Sequence, residues 1–226
     1  MPFSSQIPLF RRARPLAMAA ALTVGAAAVT FVPIGTVEAS QGELARNELA
    51  DEITATADRA LEALDRYEAT GDAAAERTLA WHRAMTAKYT ALQLGYDELQ
   101  MVDAWSRVDL DRQRVVLAAL SQVGVPYRTN SSVEDEGFDC SGLTSFAWGA
   151  ADVELFRHSG TQISDAEDRS RETALPGDLI HYPGHVMLYL GVDDAIVHSV
   201  ETGRTVEVDT ISQRRRDSVS WGAPVG

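Results

Sequence analysis

Between Gln41 and Ser106 apolar side chains return every three or four residues. Ala50, Ile53, Ala57, Ala60, Leu64 and Tyr67 fall on one stripe of an α-helix. Gly71 interrupts the stripe, as a glycine at a helix end does. A second stripe, Leu79, His82, Met85, Tyr89, Leu92 and Tyr96, predicts a helix running back antiparallel to the first. Both stripes are narrow and alanine-rich. They are read either as a bland helical spacer or as a hairpin that buries its stripe on a partner surface: the rest of the chain, a second copy or another protein. His82 sits on the apolar stripe and reads as a packing residue.

After Asp109 the pattern changes. "DLDRQRVVLAALSQVG" predicts a helix with an acidic first turn and a stop at Gly124. "VPYRTNSSVEDEGFD" reads as loop, and Leu143, Phe146 and Ala147 mark a short helix directly after Cys140. "GDLIHY", "HVMLYLG", "AIVHSV" and "RTVEVD" are four short β-rich segments separated by turn residues. Helices followed by a run of strands predict an α+β fold with an antiparallel sheet.

The first forty residues belong to neither pattern. A basic "FRRAR", an uncharged apolar "PLAMAAALTVGAAAVTFVPIG" and the small residues Val37 and Ala39 follow one another in the order of an export signal cleaved after Ala39. A retained membrane anchor is the other reading, since the apolar stretch is long enough to span with some help. The expected organisation is therefore a signal peptide at 1–39, an α-helical hairpin at 40–106 and a second domain at 107–226.

Charge narrows the classes of partner. The chain of 226 residues carries a net charge of −13. Loss of residues 1–39 removes three arginines and Glu38, so 20 basic and 33 acidic residues become 17 and 32, a net of −15. Such a protein has no electrostatic pull towards nucleic acid or an anionic membrane.

Cys140 is the only cysteine in the chain. In an exported protein it implies pairing with another chain or a working thiol. The loop before it, and Ser141 and Gly142 after it, place it at a helix start, where partial positive charge favours the thiolate. His185 follows the Pro183–Gly184 turn, and His198 ends "AIVH" thirteen residues later. Adjacent antiparallel strands would bring the two imidazoles together, and Cys, His and a third polar group form a thiol-hydrolase set. A buried structural cysteine with structural histidines remains the other reading. His158, His181, His185 and His198 also raise zinc, but no HExxH or CxxC spacing accompanies them, so neither metal nor cofactor is expected.

The blocks "VGVPYR", "GFDCSGLTSFAW", "RHSGTQ", "LPGDLIHYPGHVMLYLG" and "IVHS", in that order, resemble the NlpC-type family of cell-wall cysteine peptidases. The resemblance runs from about Leu110 to the C-terminus. It implies a reduced papain-like α+β domain with Cys140 as nucleophile, His185 as base and His198 as third member. It implies hydrolysis of peptidoglycan stem peptides at the γ-D-glutamyl–diamino acid bond, with Tyr127, Asp139, Ser141 and Ser159 lining the peptide site. Asp139 also reads as a helix cap, and Ser159 as an ordinary loop hydroxyl. The chain departs from the family at Thr129–Asn130, in the acidic "EDEG", at His181 and at Met187, which bears on substrate preference. An amidase or acyltransferase of the same fold, or a non-catalytic wall-binding protein, are the alternatives. A protein partner for the N-terminal helices, or their docking over the groove, is a further expectation.

Overall fold

The computed structural model describes residues 47–224. The expected export signal and its cleavage point lie outside them. Among the described residues no helix is long and apolar enough to cross a membrane.

The helices are α1 (Ala50–Thr70), α2 (Ala73–Leu94), α3 (Glu98–Ser106), α4 (Leu110–Leu120), α5 (Cys140–Gly149) and α6 (Ser159–Asp165). Aspartate begins four of them. The carboxylates of Asp72, Asp97, Asp109 and Asp139 each accept a backbone N–H in the first turn of α2, α3, α4 and α5. Each cap satisfies a donor that the helix itself cannot reach. Gly71 ends α1 in the left-handed conformation at φ +64°, where a side chain would be strained. It turns the chain directly into α2.

The first stripe lies where its spacing predicts, with Ile53, Ala57, Ala60 and Leu64 buried. The second is rotated from its predicted face. Ala75, Leu79, Thr86, Ala87, Thr90 and Ala91 are buried, whereas Leu92 is 47% exposed. The reason is close packing: facing the alanines of α1, small Ala and Thr side chains let the two helices approach. Thr86 returns its hydroxyl to the His82 carbonyl at 2.8 Å, so that hydroxyl keeps a partner when buried. His82 itself is only half-buried.

A six-stranded antiparallel sheet follows in the order β3-β8-β4-β5-β6-β7. Its strands are β3 (Glu167–Arg169), β4 (Leu179–Tyr182), β5 (His185–Tyr189), β6 (Ala195–Ser199), β7 (Val206–Thr210) and β8 (Ser220–Ala223). A two-stranded ladder, β1 (Ser132–Val133) with β2 (Gly137–Phe138), precedes α5. The four strands read from the sequence form the meander β4 to β7, and β8 returns to pair with β4. The observed architecture is thus α+β, with the cysteine-bearing helix packed on an antiparallel sheet.

One hydrophobic core joins the N-terminal helices to the sheet. Ile53, Ala60 and Leu64 of α1, Leu117 of α4, Leu143 of α5 and Leu188 of β5 belong to a single buried cluster. α1 packs on α4, and α2 lies along the edge strand β7. Trp105 at the end of α3 is buried and donates its indole N–H to the Leu190 carbonyl. The other face of the sheet holds a smaller cluster of Ile180, Met187, Tyr189, Ile196, Ile211 and Trp221.

Candidate active site

Cys140 is the first residue of α5, and Asp139 is its cap. The Asp139 carboxylate accepts the Gly142 N–H at 2.8 Å and the Asn130 N–H at 2.7 Å. Gly142 is required by close approach, because a Cβ there would lie 2.0 Å from the Ser131 carbonyl oxygen. The 130–131 loop therefore presses directly on the helix start. The first N–H groups of a helix lack internal acceptors, and here the Asp139 carboxylate takes that of Gly142, while the Leu143 N–H makes the first regular helical bond, to the Asp139 backbone carbonyl.

The helix that carries Cys140 packs on the two strands that carry the histidines. A second clasp runs beneath them. Ser199, next to His198, donates its hydroxyl to the carbonyl of Phe138, two residues before Cys140, at 2.7 Å. β5 and β6 pair with Leu188 opposite Val197, which puts His185 and His198 on the same face. Their rings meet edge to face, with His185 Nε2 2.9 Å from His198 Nδ1. Both residues are buried.

This contact fixes which nitrogen can act. With Nε2 engaged by His198, His185 has Nδ1 left for proton transfer. For Nδ1 to be a base, Nε2 must hold the ring proton and donate it to His198 Nδ1. His198 then carries its own proton on Nε2, and Asp209 Oδ2 on β7 lies 3.8 Å from that nitrogen. That separation is too long for a hydrogen bond, so Asp209 acts on His198 Nε2 only through its negative charge. Asp209 was not singled out in the sequence, because only the β6–β7 pairing brings it behind His198.

Burial removes His185 from water and, with the charges of His198, Arg215 and His181, lowers its pKa to about 3. The imidazole is therefore neutral near pH 7. Two tyrosines feel the charge of the thiol. Burial raises the Tyr127 hydroxyl, and the charges of Cys140 and Asp139 raise it further. Tyr182, 5.2 Å from the His185 ring, is likewise raised by burial and also feels Cys140.

Asp139, Ser141 and Tyr127 do gather at the helix start, but a residue outside the expected set organises them. Arg157 binds Asp139 through two parallel 2.7 Å hydrogen bonds, donates to Ser141 Oγ at 2.8 Å and reaches the Ser131 carbonyl. Burial opposes the charge on Asp139, yet the guanidinium and the two backbone donors outweigh it and hold the carboxyl below its ordinary range. Asp139 is thus both helix cap and half of a fork-shaped ion pair. Ser159 is buried at the start of α6. From the same "RHSGTQ" block, buried Gln162 donates to the Ser141 carbonyl and Ser145 hydroxyl and accepts from Thr144, lashing α6 to α5. Arg157 and Gln162 flank Ser159 in the sequence, and the block itself was the signal that could have found them.

His158 caps α6 through its ring, and no group of three or more potential metal ligands converges among the described residues.

Residues 124–223 match the NlpC/P60 family. The chain is similar to dipeptidyl-peptidase 6 of Lysinibacillus sphaericus, 37% identical over 108 residues, covering 46% of this chain and 38% of that protein. It is similar to the peptidoglycan endopeptidase RipB of Mycobacterium tuberculosis, 36% identical over 106 residues, covering 40% of this chain and 44% of RipB. The chain thus spans less than half the length of these curated relatives. Among solved structures, the P60 domain of an M. avium subspecies paratuberculosis antigen aligns with a TM-score of 0.45 at 26% identity, covering 51% of this chain and 96% of that domain.

Proposed function

Starting from residues 124–223 as a domain of the NlpC/P60 family, we propose that this protein is a cysteine endopeptidase that hydrolyses peptidoglycan stem peptides. The bond assigned is the amide between γ-D-glutamate and the diamino acid. The 2.9 Å contact between His185 and His198, on the strands that receive the Cys140 helix, carries the proposal. The names of the relatives supply the substrate class. Export through the N-terminal segment, which would bring the enzyme to the wall, belongs to the same proposal.

The reaction proceeds in two displacements. His185 Nδ1 accepts the proton of Cys140, and the sulfur attacks the γ-carbonyl carbon. The carbonyl oxygen becomes an oxyanion, and the Cys140 and Ser141 N–H groups at the helix start are the donors in reach of it. The C–N bond breaks as the imidazolium returns its proton to the departing amine. The acyl group remains as a thioester on Cys140. Water, deprotonated by His185, attacks that thioester and frees the γ-glutamyl acid and the thiol. His198 and Asp209 hold the positive charge that passes through His185.

The test is digestion of purified muropeptides by the protein and by Cys140→Ala, followed by mass spectrometry. Release of L-Ala–γ-D-Glu by the protein, lost in the variant, is the expected result. Cleavage at the lactyl amide would make the protein an amidase, and binding without any product would make it a wall-binding relative.

A further inference from the structure

The loop between β7 and β8 carries "QRRR", three consecutive arginines in a strongly acidic protein. Their roles differ. Arg216 pairs with the buried Asp194, which also binds Arg171. The loop closes on itself, since Arg215 and Arg216 both donate their N–H to the Ser212 carbonyl and Ser218 donates to that of Arg215. Arg216 and these turns therefore bolt the loop in place.

Arg215 is held differently. Its guanidinium carbon lies 3.7 Å from the centre of the Tyr182 ring, and that ring is 5.2 Å from His185. A guanidinium laid against an aromatic face keeps its in-plane N–H donors free for other partners. Arg215 is half-exposed, and among the described residues no carboxylate pairs with it. Arg204, Arg157 and Arg112, by contrast, each hold one. A fixed cation with unused donors thus stands one aromatic ring away from the proposed general base. Its charge is among those that lower the His185 pKa, after burial and His198. The Tyr182 hydroxyl feels both Arg215 and Cys140.

We propose that Arg215 is an anion-binding group of the substrate site and takes a free carboxylate that adjoins the scissile amide. This deepens, and rests on, the reading of the protein as a peptidoglycan endopeptidase. Two carboxylates adjoin that bond: the α-carboxylate that a γ-glutamyl linkage leaves free, and the carboxylate of the diamino acid on the leaving side. Either offers two oxygens to a forked donor. The site accordingly selects acidic peptides and discriminates against amidated ones.

The first experiment needs no turnover. Cys140 is the only cysteine, so alkylation of the intact protein reports on one thiol. The rate with iodoacetate is divided by the rate with neutral iodoacetamide, which cancels changes in thiolate fraction. The ratio is expected to fall about fivefold in Arg215→Gln, the size of one partly exposed charge contact. Arg215→Lys should keep most of it, and Arg214→Gln all of it. An unchanged ratio in Arg215→Gln, or an equal fall in Arg214→Gln, would overturn the proposal even if muropeptides prove not to be substrates. The second experiment compares muropeptides amidated at the glutamate α-carboxyl with those amidated at the diamino acid. One of the two should raise KM in the natural protein and leave it unchanged in Arg215→Gln, which identifies the carboxylate that is read. If neither amidation changes KM, while the peptides are cleaved, the assignment fails and the hydrolase reading stands.

Discussion

His185 should make the protein sensitive to mild acid, by an amount that follows from its burial. Its pKa is lowered from 6.5 to about 3 in the folded chain. Above pH 6.5 the ring is neutral in both folded and unfolded states, so its contribution to stability is fully present there. Below 6.5 the unfolded chain takes up a proton that the folded chain refuses until about pH 3. Stability is therefore lost as the pH falls through this window. At about pH 4.5, roughly two units below the unfolded value, the loss is about 3 kcal/mol, at ~1.4 kcal/mol per unit. Urea unfolding at about pH 7.5 and about pH 4.5, for the protein and for His185→Gln, isolates the effect. His82 and His181, also lowered by burial, are present in both proteins and cancel. The natural protein should lose about 3 kcal/mol more than the variant on acidification. Equal losses in the two would refute the argument that His185 is held neutral by its surroundings.

Two further substitutions test the scaffold around the thiol. Gly142→Ala drives a methyl into the Ser131 carbonyl, where backbone and not a flexible side chain must give way. A cost of about 3 kcal/mol is expected, read from the urea midpoint, with activity lost as the helix start shifts. Arg157→Ala leaves the largely buried Asp139 carboxylate without its fork and should cost about 2 kcal/mol, discounted because the guanidinium is partly exposed. Adding Asp139→Asn to that variant should cost less than the sum of the two changes. Strict additivity would mean that the pair contributes nothing.

Much of this was legible in the chain because periodicity and burial coincided. The α1 stripe is a run of aliphatic residues with one face, and that face is inside. The strands β4 to β7 announced themselves through apolar runs between turns, and their meander delivered His185 and His198 to one face. Where the signal failed, the physics lay outside local pattern. α2 buries Ala and Thr because α1 comes so close, and hydrophobicity alone favoured the larger Met85, Tyr89 and Leu92. β3 is "EDR" and exists only through pairing with β8, which no alternation of its own foretells. Gly95 caps α2, and the region expected to hold a two-helix hairpin contains a third helix, α3. At the site, the position of Cys140 at a helix start was readable from its neighbours. Arg157, Arg215 and Asp209 acquire meaning only where separate segments meet.

The core that α1 shares with the sheet has a consequence for how the chain can be divided. Family similarity begins at residue 124, yet Leu117 and Ile53 share one buried cluster with Leu143 and Leu188. The edge of shared ancestry and the edge of independent stability are therefore different places. A cut in the exposed Gly71–Asp72 turn would not release a spare part. It would turn an intramolecular fit, held at the roughly millimolar effective concentration of a short tether, into a two-piece complex governed by dilution. The helix ending at Thr70 would behave as a ligand for the remainder, and adding it back as a peptide would restore the lost stability with the logarithm of its concentration, about 1.4 kcal/mol per tenfold once it exceeds Kd.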